Sequence, residues 1–187
     1  MSSLTFQSTP LTGVKLVQRT CRSDERGQLA RLFCMQELAG IGWIHPVKQI
    51  NHTVTRLKGT VRGMHYQKPP VAEMKLVSCI RGSVWDVAVD LRADSPTFLQ
   101  WFGYELSESN QIALLIPEGV AHGFQALQNE SELIYCHSEN YQPAYEAGLN
   151  PLDPYLSIRW PLSVHGLSSR DRQHPFINSE FRGVSLS

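Results

Sequence analysis

The chain predicts an all-β fold, a double-sheet jelly roll with a few short peripheral helices. Three observations carry this: short apolar runs with the two-residue alternation of strands, turn-forming residues between them at regular intervals, and very little helical periodicity. The clearest alternation lies in SVWDVAVDL, where Val84, Asp86, Ala88 and Asp90 fall on one face and Trp85, Val87, Val89 and Leu91 on the other. KLVSCIR precedes it across Gly82, and FLQWFGYEL, QIALLIP, HGFQAL and ELIYCHSENY follow as further strands. Asp94-Ser95-Pro96, residues 107–110, Pro117-Glu118-Gly119 and residues 128–131 supply the turn chemistry between them. Residues 34–42 (CMQELAGIG) read as one short helix stopped by Gly40 or Gly42, and LSSRD reads as a turn or helix start in an otherwise polar, irregular tail. No internal repeat or linker interrupts the chain, so one domain over residues 1–187 is expected.

Composition narrows the function classes. Lys+Arg and Asp+Glu are equal at 17 each and no basic run occurs, so neither nucleic acid nor an anionic membrane is an expected partner. Cys21, Cys34, Cys79 and Cys136 contain no CxxC pair, against a zinc knuckle or a dense disulfide scaffold. Cys79 and Cys136 sit in apolar runs and are expected as buried free thiols. MSSLTFQSTPL lacks the basic start and apolar block of a signal peptide, and no apolar run approaches spanning length, so a soluble cytoplasmic protein is expected.

The stretch GTVRGMHYQKPPVAEMKLV (residues 59–77) then raises a physical question, because Arg62, His65 and Lys75 interrupt two runs that otherwise suit a sheet. On a regular strand Arg62 and His65 point to opposite faces; a bulge at Gly63 would bring both to one cavity. A strand histidine is ordinarily a surface or hydrogen-bonded core residue, and a lysine after Met74 can snorkel from a sheet edge. Asp86, inside an apolar strand, needs a partner, since an unpaired buried charge is costly. His137 and Glu139 are expected on a solvated face.

IPEGVAHGF places Pro117, Gly119 and His122 in a P-x-G-x-x-H arrangement that resembles the second motif of the cupins, a jelly-roll superfamily in which that histidine often binds metal. Aligning the first cupin motif on Gly82 puts Ala88 and Asp90 where two histidines would stand. A stable divalent site needs about three protein ligands, so the resemblance supports the fold and speaks against a metal there.

Taken in order, DERG (residues 24–27), GTVRGMHYQ, EMKLV, VWDVAVDLR, SPTFLQWFGYEL, IPEGVAHGF, LIY and SSRD resemble the dTDP-4-dehydrorhamnose 3,5-epimerase family across most of the chain. The resemblance implies a cupin barrel without metal or cofactor, a homodimer, acting on a nucleotide-diphosphate sugar with a 4-keto-6-deoxyhexose. It implies His65 as general base, Asp171 as the carboxylate paired with it, Tyr135 as the acid across the sugar ring and Lys75 near the C4 oxygen. Arg26, Arg62 and His122 are implied around the diphosphate, Gln49 and Asn51 on the nucleotide side, and Tyr141 lining the site. Arg31 stands where many members carry a glutamate near the nucleotide, which leaves dTDP, CDP and GDP open, as it leaves inversion at one carbon or both. A metal-dependent cupin, a 3,4-ketoisomerase and a noncatalytic sugar-nucleotide binder are the alternatives.

The chemistry fits those residue types. Protons at C3 and C5 are acidified only by the shared C4 ketone, so each inversion passes through an enolate. An imidazole with a pKa near ~6.5 can take such a proton at physiological pH. A carboxylate behind it fixes its tautomer, and a cation at the developing oxyanion stabilises charge present mainly in the transition state. Inversion needs the returning proton from the other face, which a tyrosine hydroxyl can supply.

Overall fold

The computed structural model describes residues 3–186. The strands are β1 (Leu4–Ser8), β2 (Lys15–Arg19), β3 (Cys21–Asp24), β4 (Gly27–Ala30), β5 (Gln49–Thr55), β6 (Val61–Gln67) and β7 (Lys75–Arg81), then β8 (Ser83–Asp90), β9 (Trp101–Ser107), β10 (Ile112–Ile116), β11 (Val120–Ala126), β12 (Ser131–His137) and β13 (Glu146–Gly148). Two short helices, α1 (Met35–Ala39) and α2 (Ser169–Gln173), lie outside the sheets. One six-stranded sheet runs β1-β2-β10-β7-β12-β5 and faces a five-stranded sheet, β13-β6-β11-β8-β9, while β3 and β4 form a separate hairpin. Antiparallel pairing is nested, β5 with β12, β6 with β11, β7 with β10 and β8 with β9, which is the winding of a jelly roll.

Alternation along each strand decides what lies between the sheets. Val77, Cys79, Leu114 and Leu133 from one sheet meet Val84, Ala88, Leu106 and Phe124 from the other. The opposite faces are covered too. Leu38 and Trp43 from the α1 region pack on Val17, Leu76 and Leu115, and Leu156 and Val184 from the tail region pack on Val87, Val89 and Ala121. The central strands β7, β8, β10 and β11 are therefore buried on two sides, which is why they read as nearly continuous apolar runs.

The expected strands from residue 75 onward are all present. The short helix is confined to Met35–Ala39 with Gly40 as its C-cap, and the start read at LSSRD is α2, whose N-cap Ser168 accepts a hydrogen bond from the Asp171 backbone N–H at 3.0 Å. Strands β1 to β5 had no clear sequence signal. β1, β2 and the β3–β4 hairpin are only four or five residues each, and β1, β3 and β4 are largely exposed, so their apolar pattern is weak. Cys79 and Cys136 are buried and free, and burial pushes the Cys79 thiol up to about 11, which keeps it protonated and inert. Among the described residues no helix is long and apolar enough to cross a membrane.

Candidate active site

The inner face of the β7–β12 pair changes character along its length. Leu133 opposes Cys79 and Tyr135 opposes Val77, then His137 opposes Lys75. Past the apolar rungs the interior opens into a cavity of about 310 Å³. Arg62, His65 and His122 line it from the five-stranded sheet; Asn51, Lys75, Tyr135 and His137 line it from the other, with Tyr141, Glu146 and Arg170 also on its wall.

β6 is irregular at the predicted place. His65 pairs with His122 and Arg62 with Phe124, so two residues of β6 stand against the single Gly123 of β11. This bulge turns Arg62 and His65 to the same cavity while Met64 and Tyr66 join the outer core. Gly63 is required there: its φ is +129°, and a Cβ would sit 2.4 Å from the Gly123 Cα.

His65 Nε2 lies 2.6 Å from Asp171 Oδ1, with His65 partly exposed to the cavity and Asp171 buried behind it. Burial by itself would raise the Asp171 carboxyl; the hydrogen bond and charge of His65 outweigh it and hold the group below its ordinary value. Asp171 therefore serves as an ionised partner that fixes the imidazole with one nitrogen engaged, leaving Nδ1 for the cavity.

On the facing sheet Lys75 is buried, 3.2 Å from Glu73 Oε1, and it donates to the His65 carbonyl at 3.3 Å. Glu73 also meets His137 Nδ1 at 2.8 Å. Burial would raise the Glu73 carboxyl, but the Lys75 charge and the His137 contact prevail and lower it. Tyr135 is buried with its ring edge-on to His122 at 5.8 Å, and burial pushes its hydroxyl far above the ordinary tyrosine value. His122 has the partner that Asp86 needed, Nε2 to Oδ1 at 2.7 Å.

The expected solvated position of His137 is a correction. Its side chain is buried between Glu73 and Asn51 because it continues the inward-facing set Leu133, Tyr135, His137, a period-two signal present in the sequence. Glu73 and Arg170, next to Lys75 and Asp171 in their motifs, also went unread as cavity residues. Glu139 is half-buried and paired with Lys48 at 2.6 Å. Gln49 lies beside the cavity, donating to Asn51 Oδ1 at 3.1 Å and accepting from the Tyr141 N–H at 2.9 Å. Arg26 is elsewhere: it tips the β3–β4 hairpin with its side chain 85% exposed, bonded to Asp24. Arg31 pairs with Glu37 of α1.

A third polar ring stands behind the His65–Asp171 pair. His174 Nε2 is 4.0 Å from Asp171 Oδ1, and its ring meets that of His65 edge-on at 5.8 Å.

Comparison with known proteins gives one consistent picture. The family model described as dTDP-4-dehydrorhamnose 3,5-epimerase matches residues 8–179. A dTDP-4-dehydrorhamnose 3-epimerase of Streptomyces niveus is 38% identical over 94% of this chain and 84% of that protein. A dTDP-4-dehydrorhamnose 3,5-epimerase of Sinorhizobium fredii is 36% identical over 94% of this chain and 90% of its own length. Among solved structures, the dTDP-6-deoxy-D-glucose-3,5-epimerase of Legionella pneumophila, in complex with dTDP-4-keto-L-rhamnose, superposes with a TM-score of 0.90 at 33% identity, covering 98% of both chains.

Proposed function

The chain belongs to the dTDP-4-dehydrorhamnose 3,5-epimerase family and is an isomerase, and we propose that it inverts C3 and C5 of dTDP-4-dehydro-6-deoxy-D-glucose to give dTDP-4-dehydro-L-rhamnose. The observation that carries this is the His65–Asp171 pair, 2.6 Å apart, opening into a cavity whose facing sheet presents Lys75 and Tyr135.

His65 Nδ1 takes the proton from C3 or C5, and Asp171 stabilises the imidazolium that forms. Lys75 Nζ meets the enolate oxygen at C4 in a site whose burial strengthens the interaction. Tyr135 returns a proton from the opposite sheet, which inverts the centre; its raised pKa keeps the hydroxyl protonated until the carbanion demands it. Arg62, Arg170 and His122 hold the diphosphate, while Asn51, Gln49 and Tyr141 hold the nucleotide side.

Arg26 is not among the residues lining this cavity, and its role at the diphosphate goes with a homodimer in which the β3–β4 hairpin enters the second subunit's site. On this reading the working unit is a dimer of one-domain subunits.

The test is deuterium incorporation from D2O into dTDP-4-keto-6-deoxyglucose by metal-stripped protein, followed by NMR. Label at both carbons is expected. Label at C3 alone would make the chain a 3-epimerase, the activity named for its 38%-identical Streptomyces relative. No label would overturn the substrate.

A further inference from the structure

We propose that His65, Asp171 and His174 form a binding site for a transition-metal dication of the zinc type, and that its occupancy switches the epimerase off. One ligand atom from each, His65 Nε2, Asp171 Oδ1 and His174 Nε2, lies within 4.8 Å of the other two. Two imidazole nitrogens and one carboxylate oxygen are a recurrent zinc donor set.

His174 is what makes the site more than a catalytic pair. Its Nε2 is shielded from solvent and has no hydrogen-bond partner, a costly state for a ring nitrogen unless something binds it. The ring occupies that place only because residue 148 is glycine: a Cβ there would stand 2.4 Å from Nε2. Gly148 in turn pairs with His65 across β13 and β6, so one backbone register holds both imidazoles around the carboxylate. The other charges acting on His174, Arg170 and Glu146, pair with each other at 3.0 Å and leave the Asp171 charge for a cation.

Around a tetrahedral centre with bonds of ~2.0–2.1 Å the ligand atoms stand roughly 3.4 Å apart. The 2.6 Å and 4.0 Å separations from Asp171 straddle that spacing, and the two ring nitrogens lie within 4.8 Å of each other. The site is separate from the position of the cupin-motif histidine, because His122 faces Asp86 instead.

Metal and base function exclude each other through the tautomer. A dication takes the Nε2 lone pair of neutral His65, so the single ring proton moves from Nε2, where it was shared with Asp171, to Nδ1. Nδ1 is the nitrogen left for the sugar, and once protonated it accepts nothing. This consequence rests on His65 being the base; the metal site itself does not. Because the ion sits behind the ring, inhibition lowers kcat and leaves KM unchanged.

The test titrates metal-free wild type, His174→Ala and His174→Gln with Zn2+ by calorimetry and with Co2+ by visible absorption, melting curves without metal confirming that the variants fold. One zinc per chain and an intense tetrahedral cobalt band are expected for wild type, both weakened at least about tenfold in the two variants. Zn2+ is expected to inhibit wild type reversibly to EDTA and to spare His174→Ala, which is active without metal. Equal affinity in all three proteins would overturn the site and assign the ion to exposed pairs such as His45–Glu118. Binding that needs His174 yet leaves wild-type turnover intact would uphold the site and remove His65 as the base.

Discussion

The molecule contains two histidine–carboxylate pairs with nearly the same bond length and opposite circumstances. His65–Asp171 spans 2.6 Å with the imidazole 27% exposed to the cavity. His122–Asp86 spans 2.7 Å with the imidazole 6% exposed and the carboxylate sealed. Asp171 is buried behind the ring, but the hydrogen bond and charge of His65 outweigh that burial, so it stays ionised below its ordinary pKa. For Asp86 burial wins over His122 and the pKa is raised, with Oδ2 left buried and without a partner. A short bond to a carboxylate therefore does not define a base. Exposure to the cavity and an ionised partner do, and of these two pairs only His65–Asp171 combines them.

Truncating one member of each pair is the sharpest way to break this contrast. His65→Ala should lower proton exchange at both carbons by about 10⁴-fold while nucleotide binding and melting temperature stay close to wild type; exchange by NMR decides it, and robust residual exchange removes His65 as base. Asp86→Ala should move the loss from activity to stability, costing about 3–5 kcal/mol in a denaturant melt, because it leaves His122 buried beside a void. A change below 1 kcal/mol, on the order of a surface pair, would show that the sealed pair is not structural.

A smaller effect separates the carboxylates. Asp171→Asn keeps the shape but removes the charge behind His65, and kcat should fall by roughly 10²–10³-fold. The same change at Asp86 should leave kcat within a few-fold, since its ring does not carry the substrate's proton. Tyr135→Phe, which alters the neighbour of the sealed pair, should slow inversion by about 10²-fold while exchange from solvent persists. Full epimerisation by that variant would remove Tyr135 as the acid.

The smallest effect is a difference in slope with pH. Asp171 is lowered in the folded state, so the unfolded chain binds more protons and its contribution to stability is present above the ordinary carboxylate pKa of ~3.9, fading as pH falls through the lowered value. Asp86 is raised, so its contribution is full below ~3.9 and is lost as pH rises through the raised value. Unfolding free energy against pH should therefore lose a rising component in Asp171→Asn and a falling one in Asp86→Asn. Parallel curves for the two variants would mean that the environments do not differ.

Composition and alternation alone determined the all-β class, the strands from Lys75 onward, the buried thiols, and the demand that Asp86 find a partner. These are local properties: a period of two and a buried charge are readable from neighbours in the chain. The family resemblance carried by the ordered motifs implied His65, Lys75, Tyr135 and Asp171 as one set. Only tertiary structure could decide what they face. Arg62 and His65 share a cavity because β6 gains a residue opposite Gly123, a register that depends on another strand. His137 turned inward because β12 is covered on both faces, so its period-two position and not its polarity set its surroundings. His174 joined Asp171 because Gly148, 26 positions away in sequence, has no side chain to exclude it. Contacts between distant segments depend on packing and register, and neither is encoded in any single stretch of sequence.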